Sequence, residues 1–107
     1  MNVSISGRNI EIGQAFHLHA KDRIKGAADK YFDRSIDASV TVSKEGPMYH
    51  VECNLRAPKG VNMHSRAKAP EIYLSFDQAA EKLEKQLRRF NRRIKNHHDS
   101  ARGAEDF

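Results

Sequence analysis

The chain has 107 residues, of which 31% are charged and 38% hydrophobic, and its formal net charge is +5 with a pI near 9.6. This length suits one domain of about 100 to 150 residues and excludes two independent cores. The composition also excludes full disorder. A basic balance is typical of proteins that meet nucleic acid or an anionic membrane, and also of a merely solvated surface. Charge alone therefore leaves these three classes open.

Cysteine content and hydropathy bear on the compartment. The single cysteine, Cys53, excludes an internal disulfide and a cysteine-based zinc site. No apolar stretch approaches the roughly 20 residues that span a bilayer, and the opening MNVSISGRNIEIG lacks the basic start and long apolar region of a signal peptide. We therefore expect a cytoplasmic protein that does not enter a membrane.

The first two elements differ in hydrophobic period. Residues 2 to 8 alternate between apolar and polar side chains, which predicts a half-buried strand. Residues 14 to 32 instead repeat at helical spacing, which predicts the first helix. Leu18 falls off the apolar stripe of this helix and should be partly exposed. The predicted buried residues of the helix are Phe16, Ala20, Ile24, Ala27 or Ala28, and Tyr31.

Three further alternating runs follow, separated by two turns. The sequence KEGP separates the first two runs, and APKG separates the second from the third. In the second turn Pro58 suits the second position, and Gly60 is free to adopt positive φ. The predicted inward residues are Ala38, Val40 and Val42, then Tyr49, Val51, Cys53 and Leu55, then Met63, Ser65 and Ala67.

A long amphipathic helix is predicted from residue 71 to residue 98, after Pro70 closes the last strand. At 1.5 Å per residue it would be about 40 Å long and would exceed the sheet. Residues 99 to 107, DSARGAEDF, have no period and predict a flexible tail or the start of a linker. The predicted buried line of the helix is Ile72, Phe76, Ala79 or Ala80, Leu83, Leu87, Phe90 and Ile94.

The element order is therefore β-α-β-β-β-α. Because every strand alternates, one face of the sheet is apolar and the other is polar, so both helices should cover the same face. The expected fold is α+β, a two-layer sandwich of a four-stranded sheet and two helices. We expect one domain over residues 1 to 98.

The segment KLEKQLRRFNRRIKN, residues 82 to 96, concentrates the positive charge. Residues 82 to 95 contain seven lysines and arginines and a single acid, Glu84, which gives a net charge of +6. The apolar residues of this segment lie within about 60° of one another, and the bases occupy the other half of the helix. Like charges three and four residues apart repel by a few tenths of a kcal/mol per pair, so this pattern indicates an anionic partner.

Together, these features resemble the ribosome hibernation promoting factor family, whose members are also called ribosome-associated inhibitors or sigma-54 modulation proteins. The resemblance covers roughly residues 2 to 95. It rests on ISGRNIEI before the first helix, on HAKDRIKGAADKYFD along that helix, and on IYLSFDQAAEKLEKQLRR in the second. The last of these resembles the family pattern of a tyrosine, an aspartate and then K-L-x-x-Q-L followed by bases.

The resemblance implies a non-enzymatic translation inhibitor. Such a protein would lodge in the small ribosomal subunit, against 16S ribosomal RNA, where messenger and transfer RNA would otherwise sit. We expect a monomer that needs no cofactor and binds no small-molecule substrate. Matched residue by residue, the RNA-binding residues are Arg23, Lys25, Lys82, Lys85 and Arg89, with Arg88 and Arg92 as neighbours.

Other residue types offer little support for a second chemistry. Two histidines, His50 and His64, could be cross-strand neighbours, but two ligands without a third rarely hold zinc. Cys53 is predicted to be buried and unreactive. Asp77 should cap or orient the first turns of the second helix. No phosphate-binding glycine loop, carboxylate pair or Ser-His-Asp order is present, so we predict neither catalysis nor a metal site.

A general double-stranded-RNA-binding module is the alternative. Its α-β-β-β-α core has a similar order but lacks the first strand, and its bases cluster at the start of the last helix. Here that position is occupied by PEIYLSFDQA, which is acidic or neutral. The absence of tryptophan also argues against a reader that stacks single-stranded bases.

Overall fold

The structure is a computed structural model that describes residues 2–30, 36–57 and 60–99, with side chains as far as residue 91. It confirms the predicted order of elements and the α+β fold. The elements are β1 (Asn2–Arg8), α1 (Gln14–Asp29), β2 (Asp37–Glu45), β3 (Met48–Ala57), β4 (Val61–Ala69) and α2 (Ile72–Asp99).

Helix α1 is shorter than predicted. The helix ends at Asp29, and Lys30 is its C-cap residue, whose backbone N–H bonds to the carbonyl of Ala28. Tyr31, predicted as the last buried residue of this helix, lies outside the described residues. The predicted tail lies outside them as well, apart from Asp99, which is the last residue of α2.

The four strands form one sheet in the order β1-β2-β3-β4. Strands β1 and β2 are parallel, because α1 carries the chain back across the sheet between them. The other two pairings are antiparallel. Gly46 has φ +59 in the β2–β3 turn, where the following proline fixes a negative φ, as a type II′ turn requires. Gly60, with φ +75, is in the positive region as predicted.

A third glycine allows a close approach of the backbone. A Cβ atom at Gly7 would overlap the carbonyl oxygen of Ile10, so only glycine fits at this position. The chain therefore folds tightly back after β1. This return places Ile10 and Ile12 against the core.

The core lies between one face of the sheet and both helices. Alternate residues of β2, β3 and β4 are buried, and their neighbours are partly or fully exposed. Leu18 is 51% exposed, as predicted from its position off the apolar stripe. The largest fully buried side chains are Phe76, Ile24, Ile36, Leu55, Leu83 and Leu87.

Helix α2 is longer than the sheet it covers. Its 28 residues correspond to about 42 Å, whereas β3, the longest strand at 10 residues, spans about 33 Å. Its apolar line, with Phe76, Leu83 and Leu87 fully buried and Phe90 partly so, packs on β3 and β4. The remaining arc of the helix is left for polar contacts.

Candidate nucleic-acid interface

One flank of α2 closes the exposed edge of β4. The side-chain amide of Gln86 donates a hydrogen bond from Nε2 to the carbonyl oxygen of His64 at 2.6 Å. Its Oε1 accepts a hydrogen bond from the backbone N–H of His64 at 3.3 Å. The amide thus replaces the peptide group of a missing neighbouring strand. Edge strands otherwise expose unpaired backbone groups.

Two further contacts extend this flank along β4. Lys82 Nζ donates to the backbone carbonyl of Arg66 at 2.9 Å. The buried hydroxyl of Ser65 donates to the carbonyl of Ala79 at 2.7 Å. Lys82 is exposed and carries three donors, so one of its hydrogen bonds is directed to β4 and the others can face outward.

The opposite flank of α2 is joined to α1 through Arg23. The guanidinium of Arg23 donates to both carboxylate oxygens of Glu84, each at 3.3 Å. A second carboxylate, that of Asp77, lies 3.7 Å from Nη1. These charges raise the pKa of Arg23 further, chiefly through the hydrogen bonds to Glu84. Because the pair is partly buried and bidentate, it is better fixed than an ordinary surface ion pair.

Aromatic contacts surround the same junction. His19 Nε2 lies 3.2 Å from the Asp77 carboxylate. The ring of His19 meets Tyr73 and Phe76 edge to face, with centroids 5.1 and 5.6 Å away. Phe16 meets the same two rings. The first half of α2 is therefore held against α1 by packed rings as well as by charge.

The outer face of α2 differs from both flanks. Lys85, Arg88 and Arg89 are exposed, and none of their side chains forms a hydrogen bond or ion pair with any residue in the described part of the chain. Lys25, on the outer side of α1, is likewise exposed and unpaired there. These bases are available to an anionic partner without breaking an existing contact.

The seven predicted RNA-binding residues therefore have different surroundings. Four of them, Lys25, Lys85, Arg88 and Arg89, are exposed and unpaired within the described residues. Lys82 is shared with β4, and Arg23 is held by acids. Arg92 lies within α2, but its side chain is outside the described residues. Their role in RNA binding stays a prediction.

The structure corrects the prediction for Asp77. The sequence predicts that this residue caps or orients the first turns of α2, but it lies in the second turn and its carboxylate contacts His19 and Arg23 of α1. Its backbone position places the carboxylate beside the other helix rather than near the orphan N–H groups at the helix start. Asp77 thus joins two helices.

The two histidines that could have been cross-strand neighbours, His50 and His64, do not lie opposite each other. The register set by the β3–β4 turn places His50 opposite Lys68 and His64 opposite Asn54. Each histidine instead lies near a glutamate, His50 near Glu45 at 3.6 Å and His64 near Glu52 at 3.4 Å. Among the described residues, no three histidine, cysteine or acidic side chains form a group that could hold a metal ion.

Cys53 is buried on the inner face of β3, as predicted, with 1% of its surface exposed. Burial raises the pKa of its thiol to about 11, since an apolar environment disfavours the thiolate. The thiol is therefore protonated and covered at neutral pH.

None of the helices in the described part of the chain has the length and apolar character needed to span a membrane.

Two important side chains received no role from the sequence. Gln86 and Glu84 both lie within the K-L-x-x-Q-L segment, between residues that were assigned to RNA binding or to the core. Their partners, His64 and Arg23, are distant in the chain, so helical spacing could not reveal the contacts. The available signal for both residues was their position at the border of the apolar stripe, where a polar side chain can reach a neighbouring element.

The fold and these contacts define a class. It is a small α+β domain in which one long helix closes a sheet edge, binds its companion helix and presents unpaired bases outward. Comparison with known proteins identifies the family. The profile of the family described as "Sigma 54 modulation protein / S30EA ribosomal protein" matches residues 3–95.

The chain belongs to this family. A ribosome hibernation promotion factor of Rhizobium meliloti is 38% identical over 99 residues, which are 92% of this chain and 52% of that protein. Its counterpart in Bradyrhizobium diazoefficiens is 35% identical over 96 residues, which are 90% of this chain and 47% of that protein. The chain thus spans about half the length of these relatives.

A shorter relative and a solved structure match over more of their own length. The ribosome hibernation promoting factor of Salmonella typhimurium is 27% identical over 91% of this chain and 100% of that protein. The crystal structure of the Thermus thermophilus Protein Y N-terminal domain has a TM-score of 0.75 and 28% identity. That match covers 84% of this chain and 99% of the solved chain.

Proposed function

We propose that this chain is a ribosome-binding domain that promotes hibernation. It would occupy the channel of the small subunit where messenger and transfer RNA pass, contact 16S ribosomal RNA, and inhibit translation by steric exclusion. Its family membership and the names of its relatives support the ribosome-associated role. The position in the channel and the exclusion mechanism are our own inference.

The observation that carries the proposal is the unpaired basic surface. We define this surface as Lys85, Arg88 and Arg89 of α2, with Lys25 of α1 and Arg92 further along α2 as predicted members. Phosphate groups are the partners that such side chains favour, because each contact releases condensed counterions and arginine can bind phosphate through two donors. The apolar line of α2 is fixed on the sheet, so the bases are held on a rigid helix.

Cosedimentation with purified small ribosomal subunits tests the basic surface. The triple variant K85E/R88E/R89E should bind at least about a hundredfold more weakly, because it removes three phosphate contacts and adds three repulsive charges. The salt dependence of its residual binding should also be shallower. Undiminished binding by this variant would show that the surface is assigned wrongly.

A matched control distinguishes the surface from net charge. The variant R8E/R56E/R66E changes the total charge by the same amount, at exposed positions on the uncovered face of the sheet. We expect its affinity for small subunits to fall by no more than about tenfold at moderate salt, since only long-range attraction is lost. Equal losses in both triple variants would contradict a specific helix surface.

Steric exclusion requires a separate measurement. Small subunits saturated with the chain should bind a labelled messenger RNA and initiator transfer RNA much more weakly than free subunits do. Excess messenger and transfer RNA should in turn displace the chain. Simultaneous, independent binding would refute exclusion while leaving ribosome association intact.

A general double-stranded-RNA-binding role predicts a different outcome. Such a module would bind a plain RNA duplex about as tightly as it binds small subunits. We expect a clear preference for the subunit, because the unpaired bases lie beyond the first two turns of α2. The same assay, with a duplex of about 16 base pairs as competitor, decides between the two roles.

A further inference from the structure

The existing ion pairs of Arg23 argue against its being a phosphate-binding residue. Its side chain is 33% exposed, and its guanidinium already donates to both oxygens of Glu84 and lies near a second carboxylate, that of Asp77. A phosphate could reach Arg23 only by displacing a bidentate carboxylate. The unpaired lysine and arginine side chains of α2 can bind phosphate without displacing a carboxylate.

Glu84 is the only acid between residues 82 and 95, and it lies four residues before Arg88. Side chains at positions i and i+4 of a helix are neighbours, and a glutamate that precedes its cation is the favourable order. Glu84 could therefore pair with Arg88. In the structure it is turned to α1 instead, and Arg88 has no ion pair with any described residue.

We infer that Arg23 is a positioning residue: it holds Glu84 on the α1 side of α2 and so keeps Arg88 available for RNA. This inference rests on the proposed function and adds to it. It reassigns Arg23 from the binding surface to the support of that surface. It also gives the one acid of the basic segment a role that does not oppose binding.

The variant R23Q removes the partner of Glu84. Glu84 should then turn to Arg88, and affinity for small subunits should fall about twofold to fivefold, as expected when one exposed pair replaces a phosphate contact. A direct contact between Arg23 and RNA predicts a fall as well. The single variant therefore needs a second change to separate the two explanations.

The double variant R23Q/E84Q supplies that separation. It restores the original net charge and removes the acid that would pair with Arg88. If Arg23 only positions Glu84, affinity and salt dependence should both return close to those of the unaltered protein. If Arg23 contacts phosphate itself, affinity should stay low and the salt slope should stay reduced by about 0.7 to 0.9.

Glu81 provides the matched control. It is exposed, it lies on α2 near Arg23, and it is neither bonded to Arg23 nor four residues from Arg88. R23Q/E81Q has the same net charge as R23Q/E84Q, yet it leaves Glu84 free to pair with Arg88 and should therefore stay weak. Equal recovery in both double variants would overturn the inference, because general charge would then explain it.

A crystal structure of the R23Q variant gives a readout independent of binding. The inference predicts that a Glu84 carboxylate oxygen lies within 4.0 Å of the Arg88 guanidinium. Glu84 facing α1 unchanged would overturn it. Loss of binding in K85E/R88E/R89E together with no recovery in R23Q/E84Q would refute the role of Arg23 and leave the proposed function standing.

Discussion

The flanks of α2 and its outer face both carry polar and charged side chains, but only those on the flanks bond to other elements of the protein. On the flanks, Gln86 and Lys82 bond to β4, and Glu84 bonds to Arg23 of α1. On the outer face, the side chains of Lys85 and Arg88 form no hydrogen bond or ion pair with any described residue. Neighbouring polar groups, rather than residue type, therefore decide whether a charged side chain stabilises the fold or is available to a partner.

The largest effect should come from the buried line of the helix, which supports both regions. Leu83→Ala removes a fully buried side chain and should lower the free energy of unfolding by about 2 to 5 kcal/mol. Leu74→Ala, at a position of the same helix that is 45% exposed, should change it by less than about 0.5 kcal/mol. Urea denaturation of both variants measures the contrast. Similar losses would mean that α2 does not dock as described.

The covered side of the sheet can also be tested chemically. Because burial raises the pKa of the Cys53 thiol to about 11, its thiolate population at pH 8 is about a hundredfold below that of a thiol with the ordinary value of 9.0. Alkylation by iodoacetamide should be slower by at least this factor in native protein than in denatured protein. A native rate close to the denatured one would contradict burial.

The flank toward β4 should show an intermediate effect. Gln86→Ala leaves the backbone N–H and carbonyl of His64 without their partner and should cost about 1 to 2 kcal/mol of stability. Gln78→Ala is the matched control, since Gln78 is exposed on the same helix and its side chain forms no hydrogen bond with any described residue. Thermal unfolding compares them. Equal effects would show that the amide contact does not stabilise the strand edge.

The smallest effect concerns a paired lysine outside α2. Lys68 Nζ lies 2.9 Å from Glu45, and this hydrogen bond and charge lower the pKa of the Glu45 carboxyl. A lowered folded-state pKa contributes stability above the unfolded-state value, and that stability is lost as the pH falls through the folded-state value. NMR titration of the Glu45 carboxyl should therefore find a midpoint below 4.5. The substitution Lys68→Met should raise this midpoint. An unchanged midpoint in that variant would remove Lys68 as the cause.

Sequence reasoning recovered most of the fold because hydrophobic period is a local property. The alternation at residues 38 to 42 and 61 to 67 and the helical spacing from Phe76 to Leu87 are set by neighbours within a few residues. Whether His50 and His64 are neighbours is not a local property. These two residues lie on different strands, so their relative position depends on the β3–β4 register, which places His50 opposite Lys68 and His64 opposite Asn54.

The same distinction applies to the candidate interface. The sequence by itself determined that one half of α2 is apolar and the other strongly basic, since both follow from 100° per residue. Only the tertiary structure decided which charges are engaged, because Arg23 meets Glu84 and Gln86 meets His64 across separations of 61 and 22 residues. Such contacts depend on where packing brings two elements together, and no local spacing encodes that.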